Sequence, residues 1–167
     1  DSEIDLKNWS KNLDKSKMIA KSTDFQSKIL ELNLRNSLFI DNTASDLIPK
    51  TYNEYLNNGI GIITCNKIAN SGTLSNYQNL KTLSRNNNCS FLYETNVGAA
   101  LPVISTLNNL INSGDKIIKI EAVLSGTLNY IFNSFNKVDT FHKIVSKAVD
   151  LGYTEPDPKI DLCGVDV

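Results

Sequence analysis

Histidine is nearly absent: His142 is the only one in 167 residues. One imidazole cannot build a cluster of histidine metal ligands, and no Ser/His/Asp triad can be assembled around it. Its simplest reading is a surface residue on a helix. Cysteine is sparse as well. Cys65, Cys89 and Cys163 are odd in number, far apart and without a Cys-x-x-Cys pair. They read as reduced cytosolic thiols rather than as disulfides or zinc ligands. No apolar run approaches the ~20 residues of a membrane helix, and the acidic start Asp1-Ser2-Glu3-Ile4-Asp5 lacks the basic and apolar regions of a signal peptide. An excess of either charge is missing too: 17 basic and 18 acidic residues leave a formal net charge of −1, with no basic stripe for nucleic acid. The expectation is a cytoplasmic protein with no membrane and no nucleic-acid partner. A Gly-x-Gly-x-x-Gly fingerprint, which cradles a pyrophosphate at a helix N-terminus, is also missing. Gly59-Ile60-Gly61 comes nearest, but Thr64 stands where the third glycine belongs.

What is present is ordinary globular composition, 41% hydrophobic and 21% charged, arranged as alternating helix and strand patterns. Leu6, Trp9 and Leu13 sit in charged, helical-looking sequence, and Phe25, Ile29, Leu30 and Leu34 follow at helical spacing. Residues 37–41 form a short apolar run that fits a buried strand, ended by Asn42-Thr43-Ala44-Ser45. A helix is expected over 49–58 with Tyr52, Tyr55 and Leu56 inward and a Gly59 cap, then a strand over 60–64. Strand, helix and strand with short joints is a βαβ unit of a parallel sheet. A helix over 75–85 and a third strand at 91–93 continue it. The pattern then changes: a helix over 97–112 with a stripe of Val103, Leu107, Leu110 and Ile111, a strand over 116–123, and a helix with Leu128, Ile131, Phe132 and Phe135 inward. A last helix, capped by Thr140 and stopped by Gly152, places Phe141, Ile144, Val145 and Ala148 on one face.

The fold class is therefore α/β: the C-terminal part of a Rossmann-like doubly wound nucleotide-binding domain (1–93, without its first glycine-rich βα unit), followed by the start of an α+β catalytic and dimerisation domain (94–167). Ligands of open parallel sheets sit outside the carboxyl ends of the strands. Thr43-Ala44-Ser45, Asn66-Lys67 and Glu94-Thr95-Asn96 occupy that position on three successive strands.

The segment 152–167 gathers Glu155, Asp157, Asp161 and Asp166 around Pro156 and Pro158. In a cleft these acids could hold a cationic group such as an α-amino group; the same spacing also fits a solvated acidic loop.

Read together, several segments resemble homoserine dehydrogenase. They are Asp41-Asn42-Thr43-Ala44-Ser45, Thr64-Cys65-Asn66-Lys67, Tyr93-Glu94-Thr95-Asn96-Val97-Gly98-Ala99-Ala100-Leu101-Pro102, Leu124-Ser125-Gly126-Thr127-Leu128-Asn129-Tyr130-Ile131-Phe132-Asn133 and the 152–167 segment, in the family's order. The acidic, tryptophan-containing region before residue 37 resembles the dehydrogenase half of bifunctional aspartokinase/homoserine dehydrogenases. The resemblance implies NAD- or NADP-linked interconversion of L-aspartate 4-semialdehyde and L-homoserine, on the route to threonine, methionine and isoleucine, by a homodimer or higher homo-oligomer. Matched residue by residue, it implies cofactor contacts at Thr43, Lys67 and Gly152, and substrate contacts at Glu155, Asp161, Asp166, Gly126 and Thr127. Lys67 and Asp166 are the implied catalytic pair. Main-chain carbonyls of Glu94, Val97, Ala99 and Leu101 would hold a monovalent cation, typically sodium. The family's catalytic lysine lies four residues past the position of Asp166, so this 167-residue stretch is expected to be inactive by itself while the intact protein turns over. Departures are Ile160 for an acid, Lys159 for arginine, Cys163 for asparagine and Ala100 for glycine. Two other classes compete. A non-catalytic dinucleotide- or amino-acid-binding module would keep the site without the chemistry. A semialdehyde dehydrogenase would need a reactive cysteine paired with histidine, and the sequence shows no such arrangement.

Overall fold

The computed structural model describes residues 5–17, 19, 21–136 and 138–164. They divide into two compact units, with the boundary between Asn96 and Val97.

The first unit opens with helices α1 (Trp9–Lys15) and α2 (Ser22–Leu32), neither with a buried residue. Strand β1 (Leu38–Asp41) leads through a 3-10 turn (Ile48–Thr51) into α3 (Tyr52–Asn57) and returns as β2 (Gly61–Thr64). The short α4 (Ile68–Ser71) and longer α5 (Leu74–Asn86) connect to β3 (Phe91–Leu92), and a 3-10 turn spans Glu94–Asn96. The three strands are parallel in the order β1-β2-β3. This is the βαβ arrangement expected from the alternation of short apolar runs and helical stripes.

Register explains which face is packed. Phe39, Ile62 and Phe91 pair across the sheet and share one face because side chains alternate along a strand. Ile62 and Phe91 are buried there with Tyr52, Tyr55, Leu56 and Leu80 from α3 and α5. Phe39 stacks on Tyr55 at 4.4 Å, and Tyr52 meets Phe91 edge-on at 6.3 Å. On the opposite face Leu38, Ile40 and Leu92 are exposed. Gly61 lies where β2 is most crowded: a Cβ there would stand 2.7 Å from Leu38 Cδ2, 3.2 Å from the Ser90 carbonyl oxygen and 3.3 Å from the Ser90 nitrogen. The exposed Leu38 can move aside, but the Ser90 backbone is held by the Ile62 N–H at 2.7 Å just before β3. Gly61→Ala is expected to destabilise the protein by about 1–3 kcal/mol, read as a shift of the urea midpoint without a change of slope.

In the second unit the described elements are helical: α6 (Val103–Asn112), α7 (Gly126–Ser134), α8 (Phe141–Asp150) and α9 (Pro158–Leu162). Ile131, Ile144, Val145 and Ala148 form its core, with Tyr130 packed against it. Ser125 and Thr140 cap α7 and α8 by accepting N–H bonds from Leu128 and Lys143. Helix α8 ends in a Schellman motif: Tyr153 N donates to Ala148 O at 3.0 Å, and Gly152 N to Val149 O at 2.9 Å. Gly152 takes the left-handed conformation this requires, at φ +71°.

Three expectations are corrected here. Helix α6 begins at Val103 and not at residue 97, because Gly98 and Ala99 have φ of +73° and +52°, which a right-handed helix cannot use. Its stripe buries no residue, and Leu110 and Ile111 are exposed. Residues 116–123 form no strand. They are irregular and exposed, Ile118 almost fully, since β-propensity needs a partner strand to express itself and the described residues of this unit supply none. Phe132 and Phe135 are exposed. The buried side of α7 runs through Thr127 and Ile131, one turn apart, and Phe132 lies about 100° round the helix from Ile131.

Candidate functional site

Parallel pairing places the carboxyl ends of β1, β2 and β3 side by side, and polar residues are concentrated there. Asp41 ends β1 directly opposite Thr64, which ends β2. Asp41 is 1% exposed, yet four donors fill its lone-pair positions. Thr43 donates its main-chain N–H (2.8 Å) and its hydroxyl (2.7 Å) to Oδ1. The Tyr52 hydroxyl (2.6 Å) and Asn66 Nδ2 (3.2 Å) donate to Oδ2. The Tyr52 oxygen also lies 2.8 Å from Thr64 Oγ1. Burial first, and then the bond to Asp41, push the Tyr52 hydroxyl well above the ordinary tyrosine value, so it stays protonated and donating.

The loop after β1 is shaped by side chains at alternate positions. Asp41, Thr43 and Ser45 each accept the main-chain N–H two residues on, from Thr43 (2.8 Å), Ser45 (3.2 Å) and Leu47 (3.2 Å). Short oxygen-bearing side chains make such turns readily. Asn66 ties this loop to the other two strand ends. It donates to the Ser45 carbonyl at 2.8 Å, accepts from Ile68 N at 3.1 Å, and its own carbonyl accepts from Asn96 Nδ2 at 3.1 Å. Lys67, the next residue, is exposed, and its carbonyl accepts from Asn70 N and Ser71 N. Thr43 is exposed at the loop and lines, with Asp41, Phe25, Phe39 and Tyr55, a cavity of about 230 Å³. Sequence reasoning placed Thr43, Asn66 and Lys67 at the strand ends but read Tyr52 only as core and gave Asp41 no role. The available signal was a carboxyl closing an apolar strand, followed by short polar residues at every second position.

In the second unit the carboxyl-rich segment does three separate jobs. Asp157 caps α9, accepting from Lys159 N at 3.0 Å with Pro158 in the first turn. Asp161 is 2% exposed; its Oδ1 is 2.7 Å from Thr127 Oγ1 and its Oδ2 accepts from Glu155 N at 2.9 Å. The Thr127 hydroxyl also reaches the Tyr153 carbonyl. Its single proton therefore serves two internal acceptors. Glu155 is exposed. Asp166 lies outside the described residues. Gly126 and Thr127 open onto a cleft of about 600 Å³ lined also by Asn129, Tyr130, Asn133 and Tyr153, with Tyr130 and Tyr153 edge to face at 4.9 Å. Asp161, Thr127 and Glu155 are thus brought together, while the lining of the cleft itself is amide, hydroxyl and aromatic. Gly152 spends its N–H on the helix cap, which leaves its carbonyl for other partners.

Of the residues matched to a cation loop, Glu94 is half-buried in the 3-10 turn of the first unit. Val97, Ala99 and Leu101 belong to the second, where the Leu101 carbonyl accepts from Val103 N at 2.9 Å. Among the described residues no group of three His, Cys, Asp or Glu side chains could hold a metal ion. Cys89 is half-buried, its thiol pushed up by burial and its Sγ 3.6 Å from the Leu56 carbonyl. That is the setting of a structural thiol rather than a nucleophile.

Two family models match the chain, the homoserine dehydrogenase NAD-binding domain over residues 1–94 and homoserine dehydrogenase over 102–167. The chain is 43% identical to the chloroplastic bifunctional aspartokinase/homoserine dehydrogenase 2 of Zea mays, all of the chain matching 18% of that protein. It is also 43% identical to the homoserine dehydrogenase of Schizosaccharomyces pombe, 98% of the chain matching 45% of it. A hyperthermophilic archaeal homoserine dehydrogenase solved with NADPH superposes with a TM-score of 0.72 at 27% identity, over 93% of this chain and 46% of that one. The chain thus spans less than half the length of each of these proteins. With both of its parts matched in order and a nucleotide-binding sheet among them, the chain belongs to the homoserine dehydrogenase family.

Proposed function

We propose that the protein is an NAD(P)-dependent homoserine dehydrogenase interconverting L-aspartate 4-semialdehyde and L-homoserine. The observation that carries this is the cross-tied set of strand ends, where Asp41 and Asn66 hold the Thr43 loop and the Lys67 main chain side by side, in a chain of this family. The nucleotide-binding part is taken as 1–93 and the catalytic part as 94–167. Asn96 Oδ1 is buried without a hydrogen-bond partner among the described residues, and a carboxamide N–H of a nicotinamide would satisfy it. Bound NAD(P) would supply the hydride acceptor or donor. The chain's own residues would do the rest. Thr43, Lys67 and the Gly152 backbone would position the nucleotide, the Lys67 ammonium would also steady the negative charge on the reacting oxygen, and Asp166 would act on the substrate as the carboxylate of the catalytic pair. Glu155 would take the substrate's ammonium, Gly126 and Thr127 would bound its site, and Asp161 would hold Thr127 and Glu155 in place. Carbonyls of Glu94, Val97, Ala99 and Leu101 would accept a sodium-like cation, a reading supported by the doubling back of the chain at Gly98 and Ala99. A homodimer in a reducing, cytoplasmic compartment completes the proposal.

The test is homoserine-dependent reduction of NAD⁺ and NADP⁺ by the full-length protein, beside Glu155→Gln. The variant is expected to raise the homoserine KM roughly 10–100-fold, the worth of a charge-assisted hydrogen bond, with a smaller change in kcat. A full-length protein that binds homoserine but reduces neither cofactor would sink the dehydrogenase reading in favour of a binding module.

A further inference from the structure

Tyr52 and Asp41 are buried together beneath the strand ends, 0% and 1% exposed, and packing does not require either polar group. A phenylalanine at 52 would fill the same space against Phe39 and Phe91. Burying a hydroxyl and a carboxyl instead costs desolvation free energy that only a complete set of hydrogen bonds offsets. The set is complete at Asp41, and its members come from distant parts of the chain: Tyr52 is 11 residues away and Asn66 is 25. What the set holds is also specific. The only proton of the Thr43 hydroxyl goes to Asp41, so the orientation of that loop follows the carboxyl. Asn66, the residue before Lys67, carries the same constraint to the Lys67 main chain, which it brackets by accepting from Ile68 N.

We propose that Tyr52 and Asp41 form a positioning pair for nucleotide binding: the Tyr52 hydroxyl fixes the Asp41 carboxyl, which sets the 42–45 loop directly and the Lys67 main chain through Asn66. This rests on the nucleotide-binding reading given above. Neither residue touches the nucleotide. Both act through Thr43 and Lys67, whose placement within a few tenths of an ångström decides how well the cofactor is gripped.

The experiment is a fluorescence titration of the full-length protein with NADPH, comparing wild type, Tyr52→Phe, Thr43→Ala and the double variant, each with its melting temperature. Tyr52→Phe is expected to raise the NADPH Kd about tenfold, a change worth about 1.4 kcal/mol. The cofactor KM should rise with it, while kcat changes less than about threefold and the homoserine KM is unmoved. In the Thr43→Ala background the same substitution should raise Kd by clearly less than in wild type, because the part of its effect that passes through the Thr43 hydroxyl is already gone while the branch through Asn66 remains. Should Tyr52→Phe fail to fold, Asp41→Asn, which keeps an acceptor oxygen for Thr43 while weakening the link to Tyr52 and Asn66, reads the same loss of NADPH affinity. A lowered melting temperature with an unchanged Kd, or additive effects in the double variant, overturns the positioning role and leaves the dehydrogenase reading standing. Wild-type protein that binds no NADPH overturns both.

Discussion

Replacing Lys67 with alanine in the full-length protein is expected to lower kcat for the proposed homoserine oxidation by about 10²–10⁴-fold, the range for losing a positioned acid–base or charge-stabilising group, and to leave the melting temperature nearly unchanged. The structure separates these two effects. The Lys67 side chain is exposed, and surface substitutions of this kind change stability by roughly 0.5 kcal/mol or less. Its backbone is fixed from both sides: Asn66 Oδ1 accepts from Ile68 N at 3.1 Å, and the Lys67 carbonyl receives two N–H bonds from α4. An alanine keeps this backbone framework and removes the side chain beyond Cβ, its ammonium included. Lys67→Arg retains the charge but presents a planar fork in place of a compact point charge, and an intermediate rate is expected. Steady-state rates with saturating cofactor, paired with a thermal melt, check the prediction. Alanine activity within threefold of wild type would remove Lys67 from the reacting centre.

The second large effect is on stability. Asp161→Ala should destabilise the protein by about 3 kcal/mol, because it deletes a buried acceptor serving two donors, leaving the Glu155 N–H unpaired and the Thr127 hydroxyl with one acceptor of its two. Glu155 N–H loses its partner at 2.9 Å, and the Thr127 hydroxyl loses the one at 2.7 Å. The Tyr153 carbonyl remains within reach of Thr127, which limits the loss on that side. Asp161→Asn keeps one acceptor oxygen and turns the other into a donor facing either an N–H or a hydroxyl, so it falls between wild type and alanine. The homoserine KM should rise alongside, since Glu155 and Thr127 both depend on this carboxyl. Urea denaturation of the three proteins decides the matter: a loss below about 0.5 kcal/mol for alanine would mean that water replaces the carboxyl.

Much of this was readable from local pattern. The apolar runs at 37–41 and 60–64 form parallel strands because their alternation and flanking turns leave little else to do. Thr140 and Gly152 mark the ends of α8 through cap chemistry that acts within four residues. The strand-end segments and the 152–167 run identified the family because they are contiguous. Local pattern failed where the outcome depended on a distant partner. Residues 116–123 have strand composition but no neighbouring strand among the described residues, so they stay irregular and solvated. The α7 aromatics carry a helical stripe, but the packed side passes through Thr127 and Ile131, a choice made by α8 and α9 rather than by α7.

The sequence by itself determined the parallel βαβ core, the helix caps and the family, each written in neighbouring residues. Only the tertiary structure decided that Asp41 and Tyr52 are buried and hydrogen-bonded together, that Asn66 ties three strand ends, and that of the three described acids after α8 one caps a helix, one is buried as a bracket and one faces solvent. The physical reason is that a carboxyl's role follows from which donors surround it. Some of those donors are neighbours in sequence, but Tyr52, Asn66 and Thr127 are brought in from 11, 25 and 34 residues away, by folding and not by spacing.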